Sequence, residues 1–258
     1  ELLRCVSGVA ADFDNDMDLD LYFVCRDAVS NLANRLYLNQ GDGTFVRVEG
    51  FGAEGPTGPH TGLGENVVVA DYDADGFIDL FVTNGLSMYP EVSWSNGGPD
   101  KLYRNLGNDN HWIQLDLVGT VANRDAVGAR VRATTGGKTQ LREQNGGYHR
   151  WAQNSQRIHF GLADNDTVDI EVRWPSPSGA VEIFEDLPAD RLYRVIEGVG
   201  IEEVALPESV PPTPCVEPSY DKAVEAGVFL WKECSTTGTW RMRVTAGGGA
   251  AYYGGEVI

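Results

Sequence analysis

The sequence predicts an all-β protein. Three observations carry that reading. Short runs alternate apolar and polar residues at period two, Gly- and Asp-rich turn signals separate them, and an Asp-rich loop running into a β-type segment occurs twice. No apolar run is long enough to cross a bilayer as a helix, so no membrane span is expected.

The repeat organises the first 109 residues. Ala11-Asp12-Phe13-Asp14-Asn15-Asp16 leads into Leu19-Asp20-Leu21-Tyr22-Phe23-Val24, and Ala70-Asp71-Tyr72-Asp73-Ala74-Asp75 leads into Ile78-Asp79-Leu80-Phe81-Val82, 59 residues later. A second landmark, Asn34-Arg35-Leu36-Tyr37-Leu38-Asn39, returns as Asp100-Lys101-Leu102-Tyr103-Arg104-Asn105 at an offset of 66, which places a seven-residue insertion around Met88 to Gly98. The runs Val67 to Ala70 and Ile78 to Val82 are too short for helices and rich in β-branched and aromatic residues, so they read as strands.

From residue 110 to 200 the texture is that of a sandwich or barrel. Trp112 to Leu117, Ala129 to Thr134, Ile158 to Phe160 and Val168 to Trp174 alternate, and turns such as Thr135-Gly136-Gly137-Lys138 and Asp164-Asn165-Asp166 divide them. Residues 201–218 read as a linker stiffened by Pro207, Pro211, Pro212, Pro214 and Pro218. Residues 219–258 form a small β-segment, with strands expected over Gly227 to Lys232, Thr239 to Thr245 and Ala250 to Ile258. A piece that small seldom buries enough to stand alone, so a disulfide or a partner is expected to complete it.

The net charge of −18 repels nucleic acid and attracts cations. Nine Asp residues fall in the two loops: Asp12, Asp14, Asp16, Asp18 and Asp20 in the first, and Asp71, Asp73, Asp75 and Asp79 in the second. Carboxylates at relative positions 1, 3, 5 and 9, with the backbone carbonyl of Asp18 or Phe77 at position 7, suit Ca²⁺, a hard cation that takes six to eight oxygens. Two structural calcium ions are expected. Neither loop is an EF-hand, because position 12 is Phe23 or Val82 instead of a bidentate Glu and a β-run follows in place of a helix. Position 6 is Gly76 in the second loop and Met17 in the first. A left-handed backbone there would cost the first loop about 1–2 kcal/mol.

Four cysteines without zinc-type spacing point to disulfides and an oxidising compartment. Cys5 and Cys25 flank the first loop, seven residues before it and five after, as partners on facing strands would. Cys215 and Cys234 are left to pair in the C-terminal segment; four buried free thiols are the alternative. The chain starts without an initiator Met or an apolar leader, and the expectation is a processed chain or a piece of a longer one.

The Asp loops, the Asn-Arg-Leu-Tyr-x-Asn landmark and Gly41-Asp42-Gly43-Thr44-Phe45 resemble the FG-GAP/VCBS repeat family. Asn110-His111-Trp112-Ile113, Asn123 to Val131, Gln153-Asn154-Ser155, Ile158 to Leu162 and Val172-Arg173-Trp174-Pro175 resemble the ASPIC/UnbV domain. The resemblance covers about residues 7–198 and implies propeller-blade-like repeats with calcium in an inter-strand loop. Two repeats do not close a propeller of four to eight blades, so the blade faces and edges need cover. A secreted, calcium-binding structural or adhesive protein follows, with copies of itself as one partner class, in a homopolymer bridged by calcium. The alternative is a non-catalytic module that binds a glycan or an extracellular protein through aromatics such as Trp94, Trp151, Trp231 and Trp240.

No enzyme is expected. His60, His111, His149 and His159 lack metal-pair spacing, and no nucleophile elbow or P-loop occurs. Glu143 and Glu171 read as solvated strand residues and not as a glycosidase pair. Asn165-Asp166-Thr167 is a lone glycosylation sequon.

Overall fold

A computed structural model of the protein describes residues 4–27, 31–57, 62–85, 98–146, 148–149, 151–206, 231–233, 239–246 and 249–256; for 148–149 and everything from 231 onward it describes backbone alone. Among these residues there are strands and no α-helix.

The first repeat is a four-stranded antiparallel meander of β1 (Cys5–Ala11), β2 (Asp20–Cys25), β3 (Arg35–Asn39) and β4 (Phe45–Val48). The second repeats its first three strands: β5 (Leu63–Ala70), β6 (Asp79–Gly85) and β7 (Lys101–Asn105). Each Asp loop connects the first strand of its sheet to the second. Inward-facing residues of both sheets share one core, with Phe13, Tyr22, Val24, Leu36, Val67, Leu80 and Tyr103 almost wholly buried. Two polar side chains within it are matched to each other: Tyr22 donates to the Ala53 carbonyl at 2.7 Å and accepts from Asn34 Nδ2 at 2.8 Å.

The second module is a sandwich. Its strands are β8 (His111–Val118), β9 (Arg130–Thr135), β10 (Lys138–Glu143), β11 (Tyr148–His149), β12 (Ala152–Gln153), β13 (Ile158–Ala163), β14 (Thr167–Arg173), β15 (Val181–Pro188), β16 (Arg191–Ile196) and β17 (Gly200–Val204). One sheet runs β10-β9-β14-β15 and the other β13-β8-β16-β17, while β11 and β12 form a small hairpin. Both large sheets stay open, which decides for a sandwich over a barrel. Period-two alternation puts Val131 and Ala133 of β9 and Val168, Ile170 and Val172 of β14 against Ile113, Leu115, Phe160 and Val195 of the other sheet, with Trp174 closing the end. Strand β16 pairs parallel to β8, so the chain crosses between sheets before returning. Buried Glu197, just past β16, accepts the amides of Thr120, Val121 and Ala122 at 2.8 Å each and pins the turn after β8. Burial works against its charge, but the Ser178 hydroxyl and these amides outweigh it and pull the carboxyl down to about 2.

Past the sandwich lie β18 (Trp231–Glu233), β19 (Thr239–Ala246) and β20 (Gly249–Glu256). The last two form a hairpin, and β18 pairs antiparallel with β7 as the fourth strand of the second repeat's sheet. The linker expected from residue 201 therefore starts too early: Gly200–Val204 hydrogen-bonds along β16, and its sheet partner outweighs the proximity of the prolines. The Pro-rich stretch from 207 to 218, the insertion expected around Met88 to Gly98 apart from Gly98 itself, and Cys215 and Cys234 lie outside the described residues.

Cys5 and Cys25 are bonded to each other, opposite one another in the β1–β2 register and 20 residues apart in sequence. Closing a loop of that length in the unfolded chain gives about 3 kcal/mol of stability. Replacing both with Ser should lower the unfolding free energy in urea by about that amount, with little change in far-UV circular dichroism below the transition.

Candidate metal centres

Both loops have the same backbone. Positions 4 and 6 are left-handed in each: Asn15 and Met17 at φ 57° and 79°, and Ala74 and Gly76 at 59° and 90°. The first loop thus holds a strained Met where the second has Gly, and burial of the Met17 side chain offsets part of that strain.

The hydrogen bonds on the first and ninth carboxylates also correspond. The position-1 carboxylate accepts the amides of positions 5 and 6: Asp12 from Asp16 and Met17 at 3.0 Å each, and Asp71 from Asp75 and Gly76 at 3.1 and 3.0 Å. The position-9 carboxylate accepts the amide of position 2, with Asp20 bound by Phe13 at 3.1 Å and Asp79 by Tyr72 at 3.0 Å. Its other oxygen accepts the amide of the landmark Asn, from Asn39 to Asp20 at 2.9 Å and from Asn105 to Asp79 at 2.7 Å. The Asn landmark, a mere punctuation mark in the sequence, is thus what orients the ninth carboxylate.

These bonds orient the first and ninth carboxylates of each loop, and the third converges with them. One oxygen each from Asp12, Asp14 and Asp20 lies within 4.8 Å of the others, and so does one each from Asp71, Asp73 and Asp79. The position-5 carboxylates point partly elsewhere: Asp16 and Asp75 accept the amides two residues on, at 2.9 and 3.0 Å. The Asp18 carboxylate leaves the loop for Lys138 at 2.7 Å, so its backbone carbonyl is what it offers the site. Phe77 is buried, its ring against Gly107.

Burial first, and neighbouring carboxylates second, raise the proton affinity of the cluster. Asp12, Asp16 and Asp71 are shifted up, Asp14 and Asp75 rise to about 6, Asp20 to about 7 and Asp79 to about 8. The second loop has one resident counter-charge. Arg104, at the position of Leu38 in the first repeat, ion-pairs with Asp73 and with Asp75, the latter at 2.9 Å. Asp73 Oδ1 remains buried without a hydrogen-bond partner.

Each loop is also packed on the sandwich. The Asn15 carbonyl accepts the Ala163 amide at 2.8 Å, the Gly76 carbonyl faces His159 Nε2 at 3.1 Å, and Asp71 accepts Gln114 Nε2 at 2.7 Å. Gly161 lies so close to Asn15 and Asp12 that a Cβ would overlap them, and a Cβ on Gly76 would overlap the Trp112 indole. The loops join each other as well, through Asn15 Nδ2 to the Gly76 carbonyl at 3.2 Å and Asn105 Nδ2 to the Phe13 carbonyl at 2.8 Å. The two acidic clusters therefore sit in the seam between the repeats and the sandwich.

The remaining candidates fall away from this seam or serve it structurally. His111 is hydrogen-bonded to Asp190 at 2.7 Å, and His159 is held low, at about 4, by burial. Glu143 and Glu171 are tied to Arg130 and Arg132 across the sheet. Asn165 donates its amide nitrogen to the Leu162 carbonyl at 2.7 Å. Trp151 is 79% exposed, while Trp94 and His60 lie outside the described residues and the side chains of His149, Trp231 and Trp240 are not described.

Residues 6–82 match the FG-GAP-like repeat family and residues 119–202 match ASPIC and UnbV. The stretch similar to the first family thus precedes the stretch similar to the second. Among curated relatives, cartilage acidic protein 1 of Mus musculus is 33% identical over 172 residues, covering 65% of this chain and 25% of that protein. Cartilage acidic protein 1 of Homo sapiens is 32% identical over 172 residues, 65% of this chain and 24% of that protein. The chain thus spans about a quarter of the length of these relatives. The second match begins after β8, although β8 is central to its sheet and supplies Gln114 to the seam.

Two expectations follow. Gly76→Ala should destabilise the protein by about 2–4 kcal/mol, from overpacking on Trp112 and the left-handed φ, read by urea unfolding. In the metal-free protein, Asp20 and Asp79 bind protons more tightly folded than unfolded, so stability should be highest below the unfolded carboxylate range near 4 and fall as pH rises through about 7 to 8. Melting in EGTA from pH 5 to 8.5 should therefore show a declining midpoint; a rising one would contradict the carboxylate environment described.

Proposed function

We propose that the chain is a calcium-stapled, non-catalytic part of a secreted structural or adhesive protein. The observation that carries the reading is the convergence of three carboxylates within 4.8 Å in each of two loops that are buried in the seam between modules. Repulsion at that separation is about 3 kcal/mol per ionised pair at an effective dielectric near 20. Arg104 offsets part of it in the second loop, and Lys138 reaches the edge of the first.

The donor set fits a hard divalent cation. All the convergent ligands are carboxylate oxygens, and the orphaned Asp73 Oδ1 is an acceptor in want of a partner. Asp12, Asp14 and Asp20 would hold one ion and Asp71, Asp73 and Asp79 the other, with Asp16, Asp75 and the carbonyls of Asp18 and Phe77 completing the shells. Bound calcium supplies positive charge and rigidity at the seam. The Cys5–Cys25 disulfide supports an oxidising, extracellular setting, as does the name of the cartilage acidic protein relatives. Calcium bridging between acidic copies is the assembly this surface favours.

At about 2 mM calcium and a dissociation constant near 0.1 mM, each ion adds about 1.8 kcal/mol. Calcium should therefore raise the melting midpoint over EGTA at pH 7.5, and Asp20→Asn combined with Asp79→Asn should abolish most of that rise. An equal midpoint in calcium and EGTA would remove the staple from the proposal. Sedimentation in the same two buffers tests assembly: large species confined to calcium support it, and a monomer in both rules out self-assembly.

A further inference from the structure

The seam holds a half-open cavity of about 190 Å³ that the loops and the sandwich line together. That is somewhat more than a cavity of about 150 Å³ known to take up benzene. Leu19, Val69, Ile78 and Ile158 give it apolar wall, and Arg142 and Arg157 bring two guanidinium groups to it.

The two arginines differ in how they are satisfied. Arg157 is ion-paired with Asp116 at 3.1 Å and donates to Gln114 Oε1 at 3.3 Å. Arg142 has no carboxylate at ion-pair distance among the described residues. It donates to the Leu141 carbonyl and to Gln140 Oε1, each at 3.1 Å, and lies 5.0 Å over the Phe160 ring. Those bonds use two of the five donors a guanidinium carries, and Arg142 lines the cavity. The acidic groups that act on it through space are Asp12 and Asp18. Lys138 already holds Asp18, and a divalent ion in the first loop would hold Asp12. With that ion bound, Arg142 is a part-buried cation with no carboxylate at ion-pair distance, beside a chamber with one apolar wall; Asp71, which the second ion would hold, and Glu143, paired with Arg130, also line it. Buried charges left in that condition are costly unless an anion completes them.

We propose that this cavity binds a small organic carboxylate, with the anion on Arg142 and a short apolar body against Leu19, Val69, Ile78 and Ile158. The proposal rests on calcium occupying the first loop, as proposed above. The probe is benzoate, whose ring matches the volume, with benzamide as its uncharged counterpart of the same shape. Calcium binding is first measured by calorimetry on the full chain, and benzoate and benzamide are then titrated into the calcium-saturated protein. Benzoate should bind in the millimolar range or tighter, with benzamide weaker by about tenfold or more, the worth of a charge-assisted hydrogen bond. Arg142→Gln should weaken benzoate by a similar factor, while Arg194→Gln, in an exposed ion pair with Glu202, should leave it unchanged. A normal calcium isotherm with no heat from benzoate, equal affinity for benzamide, or an unaltered Arg142→Gln variant would each overturn the carboxylate site and leave the calcium reading standing. A missing calcium isotherm would instead overturn that earlier reading and this one with it. Should Arg142→Gln fail to fold, the contrast between benzoate and benzamide on the unaltered chain decides alone.

Discussion

The structure depends on keeping two groups of carboxylates together where they repel one another. The first and ninth carboxylates of each group are fixed by backbone amides, from the loop itself and from the strand carrying Asn39 or Asn105. Those amides orient the oxygens but carry no net charge, so the repulsion is held in place and not cancelled. The sandwich sits directly on the loops through Ala163, His159 and Gln114. Whatever sets the charge state of the loops therefore sets the fit of the two modules, and local electrostatics becomes a tertiary constraint.

The equivalence of the loops at their first and ninth carboxylates makes their differences informative. Met17 occupies a left-handed position that Gly76 occupies without penalty, and Arg104 stands where the first repeat has Leu38. The first loop carries backbone strain and an extra carboxylate, Asp18, which it passes to Lys138 of the sandwich. The second carries its counter-charge on its own sheet. One repeat thus takes its partial counter-charge from across the seam and the other from its own sheet.

Much of this was legible in the sequence. Period-two alternation located β8, β9, β13 and β14, and the spacing of the Asp residues located both clusters. The symmetric flanks of the first loop gave the Cys5–Cys25 pair. What could not be read was anything decided by contacts between distant segments. The Asn landmark declared itself as a repeat but not as the support of the ninth carboxylate, because that bond spans 19 residues in one copy and 26 in the other. The seam was invisible for the same reason: Asn15 meets Ala163, and Asp71 meets Gln114, only after both modules have folded. The end of the sandwich was placed too early because β17 is an edge strand, recognisable by its pairing with β16 more than by its composition.

Strand β18 has a consequence for how the chain is made. It occupies the free edge of β7, pairing Trp231 with Asn105, two residues 126 positions apart. A ribosome adding about 5–20 residues per second needs roughly 6 to 25 seconds to cover that distance. Throughout that interval the nascent second repeat presents an unfinished sheet edge, the kind of surface that recruits foreign strands. The sandwich is synthesised within the same interval, before the closing strand exists. The order of synthesis thus favours completing the seam first and sealing the edge last.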